Sequence, residues 1–167
     1  MKIYYDKDAN LDVVKGKKIA IIGYGSQGHA HANNLKESGF EVIVAEYPQG
    51  GENWTKAENA GHTVMITADA VQAADIIMTL LPDEMQADIY CEQIAPNIKP
   101  GSYLGFAHGF NIHYNQIVAA ENINVFMVAP KGPGHTVRNE YLQGGGVPCL
   151  IAVEKDPSGD TKDVAMA

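Results

Sequence analysis

Cysteine is nearly missing from this chain. Cys91 and Cys149 stand far apart, with no CxxC and no Cys/His pair at zinc spacing. That excludes a disulfide framework and a zinc module, and it predicts two buried thiols in a reducing compartment. Long apolar runs are missing too: none approaches the roughly 20 residues that cross a bilayer. Cations are scarce, 12 Lys and Arg against 20 Asp and Glu, for a net charge of -8 and a pI near 5.1. A nucleic-acid backbone or an anionic membrane would be repelled, so neither is expected as a partner. The opening "MKIYYDKDANLD" carries too much charge for a signal peptide, and the expected location is cytoplasmic. No internal repeat or low-complexity tract is present.

What is present is a hydrophobic content of 46% with 19% charged residues, in a length suited to one large domain, 1–167. Seven short apolar runs recur, at 18–22, 41–46, 62–66, 76–81, 102–107, 124–129 and 149–154. They carry few charges, as strands covered on both faces do. Helical segments are expected between them at 26–38, 54–60, 69–74, 83–95 and 112–120, with Gly39, Gly61 and "KPG" (99–101) as stop signals. Strand alternating with helix predicts an α/β fold: a Rossmann-like, doubly wound, mainly parallel sheet with helices on both faces. Near the end, "DPSGDTKDVAMA" reads as a turn, a cap at Ser158 or Asp160, and a helix opening, as at the edge of a domain.

The first run leads into "GYGSQG", a GxGxxG turn between strand and helix, with an acid some 20 residues on at the end of the second strand. Gly23 permits the tight turn, Gly25 lets backbone approach a pyrophosphate, and Gly28 allows close helix packing. The helix N-terminus offers unpaired N–H groups, and Ser26 and Gln27 can add side-chain donors. His29 and His31, two apart on a helix, face different ways and are not expected to share a metal.

Glu46 is placed to accept hydrogen bonds from ribose hydroxyls and to repel a 2′-phosphate. The loop "YPQGGENW" (47–54) adds Glu52 and no cation, which favours NAD(H) over NADP(H). Lys56 is the cation that would serve a phosphate if Glu46 faced solvent instead. His108, in "AHGFNIHY", and Lys131, in "VAPKGPGHTVRNEY", follow different strands at the edge where such sheets bind ligands. The histidine can orient water or carry a proton, and the lysine can neutralise an anion.

With "KKIAIIGYGSQGHAHANNL" and "LLPDEMQADIY", these two stretches resemble the N-terminal domain of ketol-acid reductoisomerases, from Tyr4 to the last residue. The resemblance implies an enzyme of branched-chain amino-acid biosynthesis. Magnesium drives an alkyl shift in 2-acetolactate or 2-aceto-2-hydroxybutyrate, and a nicotinamide dinucleotide then reduces the product to a 2,3-dihydroxy acid. It implies cofactor contacts at Tyr24, Gly25, Ser26 and Gln27, at Asp83, Glu84, Met85 and Gln86, and at Gly134, with His108 and Lys131 catalytic. Where NADPH-using members carry an arginine and serines, this chain has Tyr47 and an uncharged stretch up to Glu52, which again favours NADH. The family's magnesium ligands lie in a helical C-terminal domain outside this chain, so the chain alone is expected to lack turnover. The complete protein is expected to be a homo-oligomer. Two other readings stay open: the cofactor half of a β-hydroxyacid dehydrogenase, whose lysine would sit on a helix outside the sheet, and a non-catalytic NAD sensor.

Overall fold

All seven apolar runs form strands of one sheet. The structure is a computed structural model and describes residues 2–167. The strands are β1 (Lys18–Ile22), β2 (Glu41–Ala45), β3 (Thr63–Met65), β4 (Ile76–Thr79), β5 (Tyr103–Phe106), β6 (Asn124–Pro130) and β7 (Cys149–Lys155). Their order is β3-β2-β1-β4-β5-β6-β7. β1 to β6 pair in parallel, and β7 pairs antiparallel with β6. The order reverses direction between β1 and β4, which is the ligand-binding switch point of such sheets.

Helices cover both faces, as expected: α1 (Ser26–Glu37), α2 (Glu52–Asn59), α3 (Thr67–Ala73), α4 (Asp83–Ile89), α5 (Phe110–His113), α6 (Gly134–Leu142) and α7 (Thr161–Met166). Ala32 of α1, Ala57 of α2 and Val164 of α7 pack with Ile19, Ile21 and Met78 on one face. Ala70 and Val71 of α3 pack with Ala20, Ile22 and Leu104 on the other.

The structure departs from the sequence expectations in four places. The helix expected over 112–120 is a single turn ending at His113, because Asn115 adopts a left-handed φ of 53° that breaks the helical path. The helix expected over 83–95 is α4 followed by a wider π turn, Tyr90–Ile94. α6 was not expected at all. Finally, Cys91 and Cys149 are exposed, not buried: one lies on the π turn, the other at the start of β7, whose residues are mostly open to solvent.

A polar cluster fastens α7 to the sheet edge. Asn124, fully buried, donates to Gly101 O (3.0 Å) and Ser158 Oγ (2.8 Å) and accepts from Thr161 Oγ1 (2.9 Å). Tyr103 donates its hydroxyl to Asp160 (2.7 Å), and burial together with that carboxylate pushes the phenol up to about 12.

Candidate dinucleotide site

The parallel strands place every predicted site residue at one edge of the sheet. Gly23 follows β1, Glu46 follows β2, Asp83 opens α4 shortly after β4, His108 follows β5 and Lys131 follows β6.

Each glycine of the turn has a distinct physical reason. Gly23 holds a φ of 95° that side chains disfavour. A Cβ on Gly28 would lie 1.9 Å from Gly23 O, so the turn and helix could not close. A Cβ on Gly25 would meet nothing within 4 Å: its space is open, on the side where a ligand would approach. No side chain caps α1, so its first amide groups are left without a capping partner. Beside it lies a cleft of about 470 Å³ lined by Tyr24, Gly25, Ser26, His29, Asn33, Asn53, Lys56 and Ala60. These features fit the pyrophosphate and adenosine end of a dinucleotide.

Glu46 is half-buried. Its Oε2 accepts from Tyr24 N at 2.6 Å and its Oε1 from Tyr47 N at 3.0 Å, so the carboxylate is pinned to the rim of the glycine turn. A carboxylate offers about four lone-pair sites, leaving room for ribose hydroxyls. Lys56 does line the cleft, but its Nζ is held by Glu52 at 2.6 Å, one helical turn away on α2. Tyr47 is largely exposed.

Several predicted contacts have side chains already engaged. The Tyr24 ring is buried against His29 and His62, with its hydroxyl at Asn33, which leaves its backbone to the turn. His62 in turn reaches Asn33 Oδ1 at 2.9 Å, and burial lowers its proton affinity. Gln27 Nε2 donates to Gly132 O (2.9 Å), beside Lys131, while Gln27 Oε1 is buried without a partner. Ser26 Oγ accepts from Gly134 N (3.2 Å). Gly134 is a close-approach residue: a Cβ there would lie 1.7 Å from Ser26 O. The N-termini of α1 and α6 therefore touch, and the Lys131 loop is mounted directly on the glycine turn. Lys131 itself is exposed, and its N donates to Pro148 O (2.8 Å).

On the far side of the switch point, Glu84 and Met85 are exposed, but Gln86 is buried. Gln86 Nε2 donates to Leu81 O (2.8 Å) and lies 3.3 Å from Asp83 Oδ1. Asp83 Oδ2 sits 3.1 Å from Nδ1 of His108. Asn111, absent from the predicted residues, completes this cluster, as Asn33, Asn53 and His62 complete the other. None carries a sequence signal, because each acts through a partner remote in the chain. Among the described residues, no group of three or more His, Cys, Asp or Glu side chains could hold a metal ion, and no helix is long and apolar enough to cross a membrane.

Comparison with known proteins agrees with this geometry. Residues 13–167 match the family described as acetohydroxy acid isomeroreductase, NADPH-binding domain. An NADH-preferring ketol-acid reductoisomerase from an uncultured archaeon superposes with a TM-score of 0.96 at 44% identity, over 99% of this chain. The chain spans 51% of that protein's length. A semialdehyde dehydrogenase NAD-binding protein from Cupriavidus necator (TM-score 0.70, 23% identity, 90% of this chain and 58% of that one) shares the fold. So does 3-hydroxyisobutyrate dehydrogenase from Mycobacterium tuberculosis (TM-score 0.65, 18% identity, 85% of this chain and 47% of that one). From the matched residues and the 44% identity, the chain belongs to the acetohydroxy acid isomeroreductase family and is its N-terminal, nicotinamide-dinucleotide-binding domain.

Proposed function

We propose that this chain is the cofactor half of a ketol-acid reductoisomerase and holds NADH in preference to NADPH. In the complete enzyme, 2-acetolactate or 2-aceto-2-hydroxybutyrate would undergo a magnesium-dependent alkyl shift and be reduced to a 2,3-dihydroxy acid, on the path to branched-chain amino acids. The observation that carries the reading is the mounting of Lys131 on the glycine turn through Gln27 and Ser26, with His108 two strands from the turn on the same edge. Cofactor groove and reacting groups form one unit.

Bound nicotinamide supplies the hydride. The chain's residues do the rest. The free amides of α1 hold the pyrophosphate, and Gly25 leaves room for it. Glu46 binds the ribose hydroxyls and repels a 2′-phosphate, which carries close to two negative charges. Lys131 offers a positive charge to the substrate's carboxylate or developing alkoxide, and His108 takes or gives a proton at the crevice. Magnesium would be held by acidic side chains outside this chain and would supply the Lewis acid for the alkyl shift. They belong to the second half of a longer protein, which we expect to be cytoplasmic and homo-oligomeric.

The test is turnover. The 167-residue chain should bind dinucleotide yet leave 2-acetolactate unchanged in the presence of magnesium. Joined to its second domain it should reduce it, and His108→Ala or Lys131→Ala should then lower kcat at least tenfold. Turnover by the chain alone, or full activity of either variant, would contradict the assignment.

A further inference from the structure

We propose that Asp83 is a positioning residue that fixes which nitrogen of His108 carries the proton. The inference rests on the role given to His108 above, but its first test is independent of any reaction. His108 is largely exposed and has one polar contact among the described residues, Asp83 Oδ2 at 3.1 Å from Nδ1. The pair is an ion-pair contact by distance: beside a carboxylate, which can only accept, the Nδ1–H tautomer of the neutral ring is favoured and Nε2, across the ring, is left as a proton acceptor.

Asp83 can impose this because it is itself held. It opens α4. Its Oδ1 faces Gln86 Nε2 at 3.3 Å, and its carbonyl accepts from Asn111 Nδ2 at 2.9 Å. Asn111 also donates to Gln86 Oε1 at 3.1 Å. Gln86 and Asn111 are 3% and 2% exposed, so the frame behind the carboxylate is rigid while the imidazole it steers is open. Two elements separated in sequence, α4 and α5, thus orient one ring. The same device, a carboxylate behind a histidine, sets the tautomer in hydrolytic triads.

The frame makes the isosteric variant informative. In Asp83→Asn, the oxygen of the new amide is required on the Gln86 side, where a donor waits. Its NH2 group then faces Nδ1 of His108 and forces that nitrogen to accept. The proton moves to Nε2. Asp83→Ala removes the partner altogether and serves as a second variant should the first disturb the fold.

The measurement is long-range nitrogen NMR of His108 in the 167-residue chain at a pH where the ring is neutral. We expect the Nδ1–H form to dominate in the wild type. Its ratio to the Nε2–H form should fall at least tenfold in Asp83→Asn and also fall in Asp83→Ala. A wild-type ring protonated on Nε2, or an unchanged ratio in both variants, overturns the proposal. In the complete enzyme Asp83→Asn should lower kcat at least tenfold, in excess of any change in KM. An inverted tautomer with unchanged kcat would refute the link to turnover. Absence of reductoisomerase activity in the wild-type enzyme would instead refute the functional reading, leaving the tautomer assignment standing.

Discussion

Gly25 and Gly28, three residues apart in one turn, answer to different constraints. A methyl group on Gly28 runs into the carbonyl of Gly23, while one on Gly25 meets open space. Gly28→Ala should therefore cost stability, about 3 kcal/mol or more given that the obstacle is backbone. Gly25→Ala should melt with the wild type yet lose dinucleotide affinity at least tenfold, because it fills the phosphate approach. Paired thermal melts and cofactor titrations separate the two, and a Gly25→Ala protein that binds normally would place the phosphates elsewhere. His31 makes a second prediction at this scale. Its Nε2 is shut away without a partner, and burial pushes the ring down to about 4. An unfolded histidine titrates near 6.5, so between those values the unfolded chain binds more protons. Stability is complete above pH 6.5 and falls as the pH drops toward 4, by up to about 3 kcal/mol from this one ring. Urea midpoints across that range should flatten in His31→Leu; an unchanged slope would assign the acid sensitivity to other groups.

At the scale of elements, the packing of α6 along α1 governs where Lys131 stands. Besides the Gly134–Ser26 and Gln27–Gly132 contacts, Arg138 reaches Asn34 at 2.8 Å and grips both carboxylate oxygens of Glu37, and Ser38 Oγ lies 2.9 Å from Tyr141 OH. Gly134→Ala must push the two helices apart, displacing Lys131 from the glycine turn. In the complete enzyme kcat should fall more than tenfold. Arg138→Ala, lower on the same seam, should cost about 1 kcal/mol of stability and change kcat little. Equal kinetic effects of the two would argue against α6 as the mount. This seam also shows where sequence reading stops. The strands were legible because their charge-poor apolar runs have no other way to be buried. α6, "GHTVRNEYL", was not: it begins on glycine after Pro133, shows little apolar periodicity, and is held by polar contacts to a helix more than a hundred residues earlier. The span 112–120 erred the other way, as local pattern suggested a helix that Asn115 ends. Glu46 was legible as an acid at the end of the second strand, but its grip on Tyr24 N was not. Nor was the approach of Asp83 to His108, which depends on two neighbouring strands ending level.

For the molecule as a whole, the strand order, reversing at β1 and β4, sets the glycine turn after β1 between Glu46 after β2 and the Lys131 loop after β6. The proposed preference for NADH rests on the charge pattern at the end of β2. Glu46 is pinned there, Glu52 adds a second negative charge, and the nearby cation, Lys56, is already paired with Glu52. A charge pair at 4 Å is worth about 4 kcal/mol at an effective dielectric of 20, and half of that after screening still exceeds tenfold. The most direct test is calorimetric titration of the wild-type chain with NADH and with NADPH, repeated on Glu46→Ser/Tyr47→Arg. NADH should bind at least tenfold tighter to the wild type, with the margin shrinking in high salt, and the double variant should shift toward NADPH. Equal or tighter NADPH binding by the wild type would contradict the account and make Lys56, released from Glu52, the phosphate's partner.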